Sequence, residues 1–302
     1  MKKRFALLLT LAVFGPHTTL SLAGEANPPA ITNASRAMPP TRPLFFKDLA
    51  AFDTDKHRSL TLQAERLDFS FAAAASMIPI TVAEAGLALR HYPLVFVPEG
   101  DERVLVALTG LPGAGNAFID AQGTWRAGQY IPAYVRGYPF ITVRTAPEAE
   151  PLLAFDPSAS EFKPKDGLPL LDGDGKPTEA FKGVIAFQME YRQHADRTQA
   201  MVSALKDAGV LEEGNLHLQP SNGGEAQKIG GFLIVSEAKL RGLSPEALKK
   251  LMEADALGLA YAQMFSMASL GNLFQPATPP NQKAAAPANG KTSTGKRSKQ
   301  KD

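Results

Sequence analysis

Apolar residues fall in short, nearly unbroken runs through the first half of the chain and at helical spacing through the second. Runs bounded by turn residues predict strands at Met77 to Thr81, Leu94 to Pro98 (LVFVP) and Arg103 to Leu111 (RVLVALTGL). Val82 to His91 is amphipathic and predicts a helix that ends at Tyr92-Pro93, since the residue before a proline is pushed out of helical backbone. Gly110, Gly113 and Gly115 mark a hairpin turn, from which Asn116 to Trp125 is expected to continue the sheet. Phe140 to Thr145 alternates as a strand does, and Leu152 to Phe155 follows. Asp172-Gly173-Asp174-Gly175 has the composition of a tight turn.

Beyond that turn the period lengthens. Phe181, Val184 and Ile185, then Met201, Val202 and Leu205, carry helical spacing, and Gly209 supplies a stop. Lys228 to Val235 predicts one more strand. Ser244-Pro245-Glu246 opens a helix with a capping hydroxyl, a proline whose missing N–H is harmless in the first turn, and an early acid. Leu248, Leu251 and Met252 form one stripe, and Leu259, Met264, Met267 and Leu270 continue the apolar packing. Strands followed by helices, without regular alternation, predict an α+β fold with a mixed sheet in the N-terminal half and helices concentrated in the C-terminal half.

The two ends depart from this pattern. Lys2, Lys3 and Arg4 precede an apolar run, Phe5 to Gly15, too short to span a bilayer, and Ser21-Leu22-Ala23 offers small residues before a cut. Residues 1–23 therefore read as a signal peptide cleaved after Ala23, which predicts export to the periplasm or cell surface. Residues 24–43 form a proline-rich linker, 44–275 a single α+β domain, and 276–302 a tail without a large apolar residue, expected to be disordered. The formal net charge is +2, but the tail holds six Lys or Arg against Asp302 alone, a local +5. With the signal removed as well, Gly24 to Gln275 carries −6, so an acidic body bears a basic tail. The tail reads as a solubilising terminus or as a tether to anionic polymers or lipid head groups. Outside the cytoplasm nucleic acid is not an expected partner, and membrane contact is at most peripheral. Absence of cysteine removes thiolate metal sites, cysteine catalysis and lipoprotein anchoring.

Chemical motifs are sparse. The glycine run at 110–115 lacks the Lys-Ser/Thr pair of a phosphate loop. Asp172-Gly173-Asp174-Gly175 is followed by Lys176-Pro177, which suits neither an aspartyl phosphotransferase nor a calcium loop. Glu190 and His194, one helical turn apart near Asp196, read as an exposed ion pair rather than a metal site. No HExxH or G-x-S-x-G occurs, so no catalytic residue, metal or cofactor is assigned, and the balance is against an enzyme. The unusual segment is Trp125 to Val143, WRAGQYIPAYVRGYPFITV, with the only tryptophan, three tyrosines and two arginines. It is either a structural keystone or a recognition surface, with Trp125, Tyr130, Arg136 and Tyr138 as candidate binding residues. Arg136, among residues that favour burial, is expected to pair with Glu84, Asp120 or Asp156.

Several segments in order resemble the SapC family of bacterial proteins. These are Val82-Ala83-Glu84, His91 to Phe96, Val106 to Leu111, Asn116 and Trp125, then Tyr130 to Phe140 (YIPAYVRGYPF). Asp156, Asp172 to Thr178, Thr198, Leu205, Leu211, Gly231-Phe232 and Ser269-Leu270 follow. The resemblance spans Met77 to Leu270 and implies a link to paracrystalline surface layers; it brings no catalytic residues with it. The signal, the proline-rich arm and the basic tail are departures from the family pattern. The resulting expectation is a non-enzymatic envelope protein, with an envelope protein or an anionic envelope polymer as partner. The alternative is an envelope enzyme or small-ligand binder with a pocket at the Trp125–Phe140 block.

Deleting Pro276–Asp302 is expected to leave the midpoint of a thermal melt within about two degrees, because nothing in the segment can anchor to a core. A larger fall would show that the tail docks on the folded part.

Overall fold

Leu94, Val95 and Phe96 are all fully buried, although successive residues of a strand face opposite ways. A strand buried on both faces belongs at the centre of a covered sheet, and that is where the computed structural model places it. The structure describes residues 42–63, 65–66, 68–145, 149–162, 166–218 and 227–274. The expected signal and basic tail, and all but the end of the proline-rich arm, lie outside the described residues.

Five strands make the main sheet: β3 (Met77–Pro79), β4 (Leu94–Glu99), β5 (Glu102–Leu108), β9 (Leu211–Leu218) and β10 (Gln227–Val235). Their order is β3-β5-β4-β10-β9, every pair antiparallel. A hairpin turning through Gly100, at φ 59°, sets Phe96 opposite Leu105 and Val95 opposite Val106. A smaller sheet, β1 (Ala50–Ala51), β7 (Leu152–Phe155) and β6 (Phe140–Val143), runs in that order, and β2 (Thr61–Leu62) pairs with β8 (Leu168–Pro169).

The helices are α1 (Val82–Ala88), α2 (Ala133–Gly137), α3 (Glu179–Asp207), α4 (Glu237–Arg241), α5 (Pro245–Glu253) and α6 (Ala256–Ser266), the last continued by a 3-10 segment, Met267–Phe274. The two apolar groups with helical spacing both fall on α3. Thr178, placed by the Asp172–Lys176 turn, caps it by accepting from the Phe181 amide at 3.3 Å. Its first half buries Phe181 and Ile185 among Phe52, Phe140, Leu153 and Phe155. Its second half buries Met201, Val202 and Leu205 in the larger core with the main sheet, Phe118 and Trp125. One helix therefore contributes to two cores.

The α+β class holds, and the strands of the first half and helices of the second fall largely where the pattern put them. Three local differences have physical reasons. Asn116–Trp125 forms turns rather than a strand: Asn116 Oδ1 accepts the Phe118 amide and Asp120 Oδ1 the Gln122 and Thr124 amides, leaving only an isolated bridge from Ile119 to Trp125. Such side chains compete with a ladder for backbone donors. The glycine run closes a tight loop instead of a hairpin, with the Ala117 amide on the Thr109 carbonyl; a Cβ on Gly110 would sit 1.6 Å from the Gly115 oxygen. Strand β9, LEEGNLHL, brings the second half into the main sheet against β10, whose register shifts between Ile229 and Phe232.

β4 and β10 are in register at one residue pair, Leu233 and Phe96. Gln263 of α6, 1% exposed, bridges the same two strands: its Oε1 accepts from the Val235 amide at 2.8 Å and its Nε2 donates to the Leu94 carbonyl at 3.2 Å. Gln263→Leu keeps the bulk and strands both backbone groups, which should cost about 2–4 kcal/mol at roughly 1–3 per buried unpaired group, less relaxation. In urea the midpoint should fall at unchanged slope; a variant as stable as wild type would show that the bridge is replaceable.

Candidate functional site

The centre of the Trp125–Val143 block is a carboxylate outside it. Thr81 precedes α1, and Glu84, in its first turn and 4% exposed, folds back so that Oε1 accepts from the Thr81 amide at 2.9 Å and hydroxyl at 3.2 Å. Oε2 faces the block and accepts from the Tyr130 hydroxyl at 2.9 Å and the Ala133 amide at 2.7 Å. The next amide, Val82, is taken by Thr198 Oγ1 of α3 at 2.7 Å. One carboxylate thus joins the starts of α1 and α2, and its neighbour joins α1 to α3. Among the described residues Glu84 forms no ion pair; four hydrogen bonds hold it.

Three of the four candidates are linked to this carboxylate. Trp125, 5% exposed, donates from Nε1 to the Tyr92 hydroxyl at 3.3 Å and meets Phe69 edge-on at 5.7 Å. Tyr92 in turn donates to the Tyr130 carbonyl. Arg136 is exposed, contrary to the expectation of a buried guanidinium paired with Glu84, Asp120 or Asp156. Its Nε donates to the Ile131 carbonyl and its Nη2 to the Tyr130 hydroxyl, each at 3.2 Å, and the head group lies over the Phe187 ring at 5.3 Å. The reason is local: α2 is five residues long, and its buried positions are Ala133 and Val135, which turns Arg136 outward.

Tyr138 belongs to a second network. Its ring stacks on Phe71 at 4.2 Å, and its hydroxyl donates to Asp156 Oδ2 at 3.2 Å. Asp156, fully buried, also accepts from the Lys47 amide at 2.7 Å and from the Ser158 amide and hydroxyl at 2.9 and 2.7 Å. The arginine that pairs with a buried carboxylate is here the half-buried Arg66. It donates to the Val135 carbonyl at 3.0 Å and to the Tyr138 carbonyl, and pairs with the buried Glu161 at 3.6 Å. Burial lowers its pKa, an effect opposed by the Glu161 charge. A further arginine, Arg126, is buried with its guanidinium 4.4 Å above Phe118. Burial pushes the Tyr92, Tyr130 and Tyr138 phenols upward, which keeps them donors.

The open feature at the block is a cleft of about 210 Å³ including its mouth, lined by Phe46, Tyr134, Gly137, Phe140, Gln188 and Tyr191. Its interior volume of about 10 Å³ is on the order of one water molecule. Gln188 closes its floor by donating to the Gly137 and Phe140 carbonyls at 3.0 and 2.8 Å. Elsewhere Glu190 and His194 form an exposed pair at 3.5 Å, and Asp196 pairs with Arg192. Among the described residues no three His, Asp or Glu side chains gather as a metal ion requires.

A family model described as SapC matches residues 52–273, most of the chain, and the chain belongs to that family. Comparisons with curated proteins and with solved structures found no match.

The two arginines separate fold from surface. Arg66→Met leaves Glu161 buried without its partner and should cost about 3–5 kcal/mol. Arg136→Met should leave the thermal midpoint within about two degrees, because an exposed side chain that forms no ion pair among the described residues contributes little. Melts of the two variants that gave the reverse ranking would contradict the geometry. Asp156 supplies a pH test. Burial raises its pKa, but the hydrogen bonds from Ser158, Lys47 and Tyr138 outweigh that and hold it below the ordinary value. Its contribution is therefore whole above about pH 4 and lost as pH falls through the folded value. The stability gap between wild type and Asp156→Asn should narrow below about pH 4 in urea titrations; a gap that widens on acidification would contradict the assignment.

Proposed function

We propose that this SapC-family chain is an exported, non-enzymatic protein of the cell envelope that binds a surface-layer or outer-membrane component. The observation that carries export is the order of positive, apolar and small residues across 1–23. What supports a binding rather than a catalytic role is the use to which the carboxylates around the aromatic block are put. Glu84, Asp156 and Glu161 are each held by hydrogen bonds or an ion pair that join segments of the fold. Trp125 and Tyr138, candidates for contact with a ligand, are core residues.

The rival reading, an envelope enzyme or small-ligand binder, draws on the cleft beside α2. Its water-sized interior weighs against it, since ligand pockets are typically about 300–1,000 Å³. Intact mass and fractionation of the protein from its native host test the proposal. The expected result is a chain beginning at Gly24 in the envelope or periplasmic fraction. A full-length chain confined to the cytosol would overturn it.

A further inference from the structure

Helix α6 buries Ala256, Leu259 and Ala260 in the main core beside two polar residues, Gln263 and Ser266, and the outer face of α6 and of the 3-10 segment that continues it is apolar as well. Gln263, Ser266 and Ser269 are buried, and with Asn272 they bond the backbone of the sheet and of the α1–β4 connection. Ser266 Oγ accepts from the Leu94 amide at 2.8 Å, Ser269 Oγ donates to the Leu89 carbonyl at 2.6 Å, and Asn272 Nδ2 donates to the His91 carbonyl at 3.0 Å. The outer face is formed by Gly258, Tyr261, Phe265, Ala268 and Gly271, all exposed and spaced three or four residues apart. Phe265 is 64% exposed and Tyr261 44%, and their rings stack at 6.1 Å. From Ala256 to Phe274 there is no charged residue. A surface helix ordinarily turns charged and polar residues outward, and an exposed apolar face of this kind marks a contact surface.

The sequence beyond Phe274 indicates what covers it. After Gln275 come 276–302, with Lys283, Lys291, Lys296, Arg297, Lys299 and Lys301 against Asp302. We propose that the Tyr261–Phe265 face of α6 seats on an anionic lipid surface, with the basic segment that follows supplying the electrostatic half of the contact. Tyrosine and phenylalanine suit the boundary between head group and acyl chain. Basic residues near an anionic surface add attraction that decays within a Debye length. Each element alone holds weakly; joined on one chain they act at high effective concentration. The inference rests on the envelope reading above, since an exported protein meets such surfaces, but it concerns the site of attachment and not export.

The test is flotation of the protein, as its native host makes it, with vesicles of phosphatidylcholine and phosphatidylglycerol beside phosphatidylcholine alone. Wild type should float with the anionic vesicles only. Tyr261→Ser with Phe265→Ser, and separately deletion of 276–302, should each lower the bound fraction about tenfold at unchanged melting temperature, and added salt should reproduce the deletion. All chains compared share the same N-terminus, so its apolar run cancels. Serine variants that float as wild type does would overturn the proposal. So would a wild-type dimer in sedimentation velocity that the same variants dissolve, which would assign the face to a second copy of this chain. Mass and fractionation decide export independently of either result.

Discussion

A carboxylate that is 4% exposed and pairs with no cation among the described residues must be held by donors, and Glu84 draws them from more than one segment. Glu84 meets this constraint by drawing on Thr81, Tyr130 and Ala133. Satisfying one group therefore fixes the entry to α1, the course of the chain through Tyr130 and the start of α2. Through Tyr130 the same constraint reaches Tyr92 and Trp125, and through the adjacent Val82 amide it reaches Thr198 on α3. The aromatic block is thus a structural joint whose outer rim is Arg136.

Much of this was legible in the sequence. Runs such as Leu94–Phe96 and Leu105–Leu108 consist of apolar residues at positions buried whichever way they face, so their pattern and structure agree. The C-terminal end of α3 carried a signal, the stop at Gly209, whereas its cap, Thr178, was passed over beside the Asp172–Gly175 turn. Strand β9 was not legible, because its two glutamates and its Gly-Asn pair resemble a loop and its pairing with β10 is what makes it a strand. Asn116–Trp125 misled for the opposite reason: its apolar content suggested a strand, while Asn116 and Asp120 had side chains able to take the backbone donors.

The candidate site was half legible. The composition of Trp125–Val143 marked it as a place of dense packing, and Glu84 was one of three partners named for a buried charge. The charge itself was misassigned. Arg66 lies between Glu65 and Asp68, in the composition of an exposed turn, and its partner Glu161 is remote in sequence, so local pattern could not identify it. The outward tyrosine and phenylalanine of α6 were hidden similarly. The apolar count there suggested core, and Leu259 is core, but the buried Gln263, Ser266 and Ser269 take inward positions that apolar residues would ordinarily hold and leave Tyr261 and Phe265 outside.

The role of Glu84 as the joint of the fold is tested most directly by native-state amide hydrogen exchange at Thr81 and Ala133, whose N–H groups it accepts. If those bonds open only when the protein unfolds, both amides will exchange with the slowest set, beside the central strand amides of Phe96 and Leu105, and with the same dependence on denaturant. Exchange through a local opening of low free energy, insensitive to denaturant and independent of the central strands, would contradict the account and reduce Glu84 to a local cap of α1.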